Sequence, residues 1–192
     1  METTYPILET LRDFVENAGK LGIEYMVTGS FAMSAYGEIR YTRDIDIVIQ
    51  LERPDIARFV SAFADKYDVN DISIRRAIDR RSMFNIVNLA TGEKVDCIIQ
   101  KDAEFARVSF GRRRRAVVAG IGFWTTTKED LIIAKLEWTR DTHSEMQIRD
   151  IANLTVDDYD SAYVSGWIES LGLSEIWSEV DNWKTLHQKL DD

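Results

Sequence analysis

The sequence is poor in the residues that build covalent frameworks or soft metal sites. Its 192 residues include one cysteine and two histidines. A single cysteine, Cys97, excludes an internal disulfide framework and is typical of a reducing compartment. With so few thiol and imidazole groups, we expect no closed zinc site. Any bound metal should be a hard cation that carboxylate oxygens hold.

Long apolar runs are also missing, since no stretch approaches the roughly 18–20 residues that a membrane-spanning helix requires. The first residues, METTYPILETL, lack the basic start and apolar core of a secretory signal. We therefore expect a cytoplasmic protein with no membrane partner. The hydrophobic content of 45% provides enough apolar material for a core.

Positive charge becomes scarce toward the end of the chain. The net charge is −9, from 24 basic and 33 acidic residues. The first 120 residues carry 18 of each sign, so residues 121–192 hold the whole acidic excess. This asymmetry predicts two sub-structures, of which the first would more easily approach a charged polymer. We expect a core over residues 1–125 and a helical part over 126–192 that packs on it.

Hydrophobic periodicity predicts an α+β fold, a small mixed β-sheet flanked by helices and followed by a C-terminal helical part. The strand-like segments are 24–28, 44–50, 83–89, 94–100 and 116–119. Predicted helices cover 4–21, 30–36, 54–67, 72–81, 102–110, 128–141, 143–154, 157–171 and 174–190. Three of these helices have a predicted N-cap, at Ser30, Thr127 and Thr142.

Two acids alternate with apolar residues in the second strand-like segment. Residues i and i+2 of a strand project from the same face, so Asp44 and Asp46 would stand side by side while Ile45 and Ile47 face the core. Neighbouring carboxylates repel each other, which raises the cost of burying either one. Such a pair indicates a bound cation or proton. An edge strand that uses outward charge against aggregation shows the same pattern.

A third acid, Asp96, would join the same side if its strand pairs beside residues 44–50. Three carboxylates would then hold one or two Mg²⁺, which prefer oxygen ligands and bridge to phosphates. Gly29 and Ser30 supply the complementary half, because glycine lets backbone approach a phosphate and a helix start attracts anions. The combination indicates phosphoryl or nucleotidyl transfer. Taken singly, Gly29-Ser30 would equally fit a turn with an N-cap, and Asp96 would equally fit an outward-facing hairpin residue.

The spacing of Gly29-Ser30, Asp44-Ile-Asp46 and Asp96 resembles the signature of the nucleotidyltransferase superfamily related to DNA polymerase β. The surrounding segments are similar to its AbiEii-like branch of minimal transferases, which includes toxins of type IV toxin–antitoxin and abortive-infection systems. Those segments are Arg40-x-Thr42-x-Asp44, Phe84-Asn85-Ile86, Lys94-Val95-Asp96, Glu129-Asp130-Leu131-x-x-x-Lys135-Leu136 and Arg149-Asp150-Ile151. The likeness covers roughly residues 24–155.

The resemblance implies a catalytic role for each matching residue of the first part. Gly29 and Ser30 would contact the triphosphate of the nucleotide. Asp44 and Asp46 would hold two Mg²⁺ together with that nucleotide. Asp96 would complete the metal site and activate the attacking hydroxyl.

Phosphate contacts are expected from Arg43, in the basic tract before the acids, and from Lys135 on a C-terminal helix. Asp150 matches a later family acid without a defined role. Arg140 and Arg149 match family arginines loosely, because the interval between them is longer here. Plainer interpretations are a solvated position for Lys135 and a helix-surface ion pair for Arg149-Asp150.

Four consecutive arginines, Arg112, Arg113, Arg114 and Arg115, are a candidate nucleic-acid contact and otherwise a solvated face. The function we expect is Mg²⁺-dependent transfer of a nucleoside monophosphate from an NTP to a hydroxyl of RNA such as tRNA, or of protein, with pyrophosphate release. The enzyme would act as a toxin with a cognate antitoxin. Alternatives are a non-catalytic nucleotide-binding module, an antitoxin-like partner, or a purely structural domain.

Overall fold

Residues 5–38 and 42–188 are described by the computed structural model of the chain, and they divide into two units. The first contains the described residues 5–35 and 42–126, and the second contains 36–38 and 127–188. The motif residue Arg40 lies outside the described residues. None of the helices in the described ranges is both long and apolar enough to cross a membrane.

Seven strands form one mixed sheet in the first unit. They are β1 (Tyr25–Thr28), β2 (Asp44–Ile49), β3 (Tyr67–Asp68), β4 (Met83–Asn88), β5 (Lys94–Ile99), β6 (Arg114–Val118) and β7 (Ile121–Thr125). Their order across the sheet is β3-β4-β5-β2-β1-β7-β6. β2 pairs antiparallel with β1 and parallel with β5, so the strand that carries the two alternating acids is central.

The alternation of β2 decides which of its faces is buried. Ile45, Ile47 and Ile49 are completely buried, and their register partners on β5 are at most 3% exposed. Apolar residues of both strands therefore form one continuous core face. Because successive strand residues point to opposite sides, the acids of β2 and β5 emerge together on the other face.

Two amphipathic helices, α1 (Pro6–Leu21) and α3 (Ile56–Phe63), contribute aromatic rings to this core. Phe14 of α1 meets the ring of Tyr25 edge-on at 5.7 Å between centroids. Phe59 of α3 meets Phe84 in the same way at 5.7 Å. Edge-to-face contacts of this kind add to the stabilisation from burial, so the helices fix the sheet from the side opposite the acids.

The remaining helices are α2 (Gly29–Ala32), α4 (Asp71–Arg80), α5 (Glu104–Arg112), α6 (Lys128–Thr142), α7 (Glu145–Leu154), α8 (Ser161–Leu171) and α9 (Ser174–Gln188). Short 3₁₀ turns lie at Met33–Tyr36 and Arg53–Asp55. The second unit is helical throughout its regular elements. The predicted α+β architecture with a helical C-terminal part is confirmed.

Helix starts agree with the sequence at one position and differ at two. Thr127 caps α6, as predicted, by accepting a hydrogen bond from the backbone N–H of Asp130 at 3.2 Å. The predicted cap at Ser30 is wrong, because Thr28 keeps the extended backbone of β1 and α2 begins at Gly29. The predicted cap at Thr142 is wrong as well, because α6 continues through it and ends on His143 at φ 47°.

Two strands have no counterpart in the sequence prediction. β3 has two residues, which is too short for any periodic signal. β7 follows β6 through a tight turn at Ala119 and Gly120, both at positive φ. This hairpin begins at Arg114, so part of the arginine run is strand.

Candidate active site

Three acids and one lysine stand next to each other on two paired strands. β2 and β5 run parallel with Asp44 opposite Lys94 and Asp46 opposite Asp96. All four residues occupy the face opposite Ile45 and its partners, because they alternate with buried residues along both strands. We call these four residues the charged block. The sequence prediction that Asp44, Asp46 and Asp96 share one side of the sheet is confirmed.

Asp96 is the most deeply placed acid of the charged block, with 8% of its side chain exposed. Its Oδ2 accepts a hydrogen bond from Lys94 Nζ at 2.8 Å. Within the described part of the chain, its Oδ1 is buried and has no hydrogen-bond partner. A buried carboxylate oxygen without a partner is costly, so this atom marks a place where a ligand, a proton or a metal would be stabilising.

Asp44 and Asp46 are half-buried and have different surroundings. Thr42 Oγ1 donates a hydrogen bond to Asp44 Oδ1 at 2.6 Å. This bond orients the carboxylate from two residues upstream. Thr42 was predicted only as a motif residue, so this orienting contact is new.

Gly29 and Asp46 touch at the end of β1. Thr28 is the register partner of Asp46, and Gly29 follows immediately with φ +63°. A Cβ at Gly29 would overlap the Asp46 carboxylate. Positive φ and this lack of space both require glycine, so the start of α2 lies against one of the candidate metal ligands. Ser30 comes next and is half-buried.

The residues present suit a divalent cation in part. Oxygen-only ligands and the unpartnered Asp96 Oδ1 suit Mg²⁺. Among the described residues, however, no three His, Cys, Asp or Glu side chains are arranged to hold one ion together. Mg²⁺ is commonly held by one or two carboxylates with substrate phosphates completing its shell, and the charged block fits that pattern.

An open concavity adjoins the charged block on the β4 side. Asn85 of β4 is the register partner of Asp96 and is exposed. It lines a space of about 360 Å³ together with Asp68, Asn70, Ile72, Ser73 and Arg76. Five of these six lining residues have polar or charged side chains. The space is therefore suited to a polar molecule beside the candidate base.

The arginine run is divided between structural and exposed residues. Arg113 is mostly buried, pairs with Glu24 at 3.1 Å and lies 4.3 Å from the Phe110 ring centroid. Arg115 lies over Trp124 at 4.9 Å. Arg112 and Arg114 are exposed. Nucleic-acid contact by this run stays a prediction, and Arg113 is the member whose contacts give it a structural role.

Lys135 is buried among helices of the second unit. Its Nζ lies 2.9 Å from Asp150 Oδ2, and the two side chains are 4% and 2% exposed. It also donates to Gln147 Oε1 at 2.9 Å. The solvated position considered for Lys135 and the surface pair considered for Asp150 are both wrong. The phosphate role of Lys135 stays a prediction.

The other candidate cations lie at the surface. Arg43 is exposed directly before β2, and its backbone carbonyl accepts from Lys94 N–H at 3.2 Å. Arg140 is exposed and donates to the carbonyl of Leu171 at 3.4 Å. Arg149 is exposed on α7. Their proposed contacts with substrate stay predictions.

The fold of this chain is similar to several solved structures. The chain matches no protein-family model and no curated protein. Its fold is similar to that of ANT(2″)-Ia in complex with adenylyl-2″-tobramycin, with a TM-score of 0.55 and 12% identity over 95% of this chain and 99% of that one. It is also similar to lincomycin-bound LnuA, a lincosamide antibiotic adenylyltransferase, with a TM-score of 0.52 and 12% identity over 77% and 96% of the two chains.

A third similar structure is an antigenic nucleotidyltransferase-like protein from Paracoccidioides brasiliensis. Its TM-score is 0.51, with 15% identity over 91% of this chain and 92% of that one. Structural similarity at identities this low shows the fold alone, so the chemistry has to be argued from the site residues. The chain therefore has the nucleotidyltransferase fold.

Proposed function

We propose that this chain is a Mg²⁺-dependent nucleotidyltransferase that moves a nucleoside monophosphate from an NTP to a hydroxyl and releases pyrophosphate. One observation carries the proposal. Three carboxylates emerge side by side from the central strands of a nucleotidyltransferase fold, and Asp46 lies against the obligatory Gly29. Carboxylates suited to metal binding lie beside an approachable backbone, which supports the proposal because nucleotidyl transfer requires both.

The residues divide the work by their positions. Asp44, Asp46 and Asp96 would hold the metal ions, and Gly29 with Ser30 would let the triphosphate approach the backbone. Mg²⁺, when bound, supplies charge neutralisation of the phosphates and polarisation of the α-phosphorus. Asp96 Oδ1 accepts the proton of the acceptor hydroxyl. The acceptor oxygen bonds to the α-phosphorus, the bond from that phosphorus to the bridging oxygen breaks, and pyrophosphate leaves.

The acceptor hydroxyl enters from the β4 side, through the concavity that Asn85 lines. We propose RNA such as tRNA, or a protein, as the acceptor, and an AbiEii-like toxin with a cognate antitoxin as the biological setting. The sequence motifs that include Arg40, Lys94 and Arg149 support the toxin assignment. The size of the concavity and the antibiotic ligands named for the similar folds favour a second acceptor class, a small polar molecule.

Transfer is tested by incubating the protein with each labelled NTP, Mg²⁺ and one of three acceptor pools. The pools are cellular RNA, cellular protein and small hydroxylated compounds, and the readouts are label transfer and pyrophosphate release. Wild type should label one pool. Asp46→Asn should abolish labelling while far-UV circular dichroism stays native, because it removes a metal ligand and relieves charge repulsion.

The matched control is Asp102→Asn, which removes an exposed acid that is not on β2. Asp102 forms an ion pair with Arg107 at 2.7 Å. This variant should label as wild type does. Full activity in Asp46→Asn would falsify the proposed chemistry.

A non-catalytic nucleotide-binding module is the alternative that one contact favours. Lys94 already neutralises Asp96, the candidate base, at 2.8 Å. A module would bind Mg²⁺-NTP without releasing pyrophosphate in the presence of any pool. Calorimetric titration of NTP beside the transfer assay separates the two functions.

A further inference from the structure

Lys94 is the one residue of the charged block that sequence reasoning left without a role. It lies two residues before Asp96 on β5 and opposite Asp44 on β2, so it shares their face. Its Nζ lies 2.8 Å from Asp96 Oδ2. The sequence contained the signal, since i and i+2 residues of a strand are neighbours.

Lys94 balances part of the negative charge of the three acids. Its ammonium is in ion-pair contact with Asp96, and its position opposite Asp44 puts it on the face that all three acids share. Asp96 is nearly buried, and a buried carboxylate without a cation is strongly unfavourable. The ammonium therefore does for Asp96 what a bound metal ion would also do.

The two partners of this ion pair differ in freedom to move. The side chain of Lys94 is 38% exposed and that of Asp96 is 8% exposed. A lysine has a flexible four-carbon stem and a strongly hydrated ammonium, so it can exchange a carboxylate for water. Asp96 is held on a central strand between β2 and β4. Separation of the pair would thus move Lys94 and leave Asp96 in place.

We propose that Lys94 is a positioning residue that serves as the resident cation of the metal-free site and is displaced from Asp96 when metal and nucleotide bind. The inference rests on the proposed function, because it assigns a metal to this block. In the metal-free protein, Lys94 neutralises the nearly buried Asp96 carboxylate. It also competes with the metal for Asp96 Oδ2, so it lowers the metal affinity of the site.

The test measures Mn²⁺ binding by electron paramagnetic resonance, with and without ATP and independently of turnover. Lys94→Met should bind Mn²⁺ about tenfold more tightly than wild type, since a competing like charge has been removed. Without metal, Lys94→Met should unfold at a lower temperature, and Mn²⁺ should restore more stability to it than to wild type. Lys94→Gln, which keeps a hydrogen-bond donor without the charge, serves if the methionine variant does not fold.

Lys101→Met is the matched control, because it removes one exposed lysine just after β5. Its Mn²⁺ affinity should stay within about twofold of wild type. Mn²⁺ affinity of the folded Lys94 variant equal to or weaker than that of Lys101→Met overturns the inference and leaves the proposed function standing. Tighter binding without nucleotidyl transfer to any pool supports the inference and overturns the proposed function. Absence of Mn²⁺ binding in every variant overturns both.

Discussion

Gly29 shows at the scale of one residue how the fold and the site depend on the same atoms. Its φ of +63° and the Asp46 carboxylate against its Cα leave no place for a side chain. Gly22 has a similar φ of +66° at the end of α1, but a Cβ there would meet nothing within 4 Å. An alanine at Gly22 would therefore suffer only backbone strain, whereas an alanine at Gly29 would also overlap a side chain.

Gly29→Ala should destabilise the protein by about 1–3 kcal/mol and weaken NTP binding, because Asp46 must move. Gly22→Ala should cost about 1 kcal/mol, from the left-handed backbone alone, and leave NTP binding unchanged. Urea unfolding and calorimetric NTP titration measure the two effects. Equal behaviour of both variants would contradict a steric role for Asp46.

The pair of helices α6 and α7 depends on a buried ion pair. Lys135 and Asp150 lie on these helices at 2.9 Å, almost completely buried. Lys135→Met should destabilise the protein by about 3–5 kcal/mol, because it leaves the Asp150 carboxylate buried without this cation. Chemical unfolding followed by tryptophan fluorescence measures the loss.

The matched double variant Lys135→Met/Asp150→Leu should recover most of that stability, since both charges are then gone. A phosphate role for Lys135 predicts, in addition, that the stable double variant binds NTP more weakly than wild type. Failure of the double variant to regain stability would show that the lone Asp150 charge is not the cause of the loss.

The elements that were predictable are those with a repeating chemical signal. The alternation Asp-Ile-Asp-Ile on β2 fixes both its strand conformation and its outward face, and Asp96 follows the same rule on β5. The parallel register that sets Asp46 beside Asp96 joins positions fifty residues apart, and no local pattern encodes it. The two-residue β3 and the immediate start of α2 at Gly29 depend on tertiary contacts in the same way.

Charge and structure divide the whole molecule at nearly the same place. The acidic excess falls after residue 120, and the structural units divide between Thr126 and Thr127 apart from residues 36–38. The unit with balanced charge carries the charged block. The carboxylates therefore belong to a unit without a large net charge, and such a unit repels polyanionic substrates less than the acidic second unit would.

Stability of the whole molecule should fall in alkali through Tyr67. Burial raises the pKa of Tyr67 to about 12, and the charge of Asp13 contributes to the increase. A tyrosine in the unfolded chain ionises at about pH 10. Above that pH, Tyr67 of the unfolded chain releases a proton that Tyr67 of the folded chain retains. The contribution of the protonated Tyr67 to the free energy of unfolding is complete below about pH 10. It falls by roughly 2–3 kcal/mol as the pH rises toward 12.

Urea unfolding between about pH 8 and about pH 12 measures this loss in wild type and Tyr67→Phe. Tyr25 and Tyr159 also have raised pKa values from burial and are present in both proteins, so they cancel in the comparison. The phenylalanine variant should lose less stability over this range. A parallel decline of the two curves would exclude Tyr67 as the cause.

Cys97 is the only thiol of the sequence, and it lies on β5 directly behind Asp96, completely buried. Burial and the Asp96 charge raise the pKa of this thiol. Alkylating reagents attack accessible thiolates, so they can reach it only when the core that covers this face of β5 opens. Alkylation of Cys97 therefore provides a direct measure of local opening. The rate at which one alkyl group is added, followed by mass spectrometry, reports how often the core behind the candidate base opens.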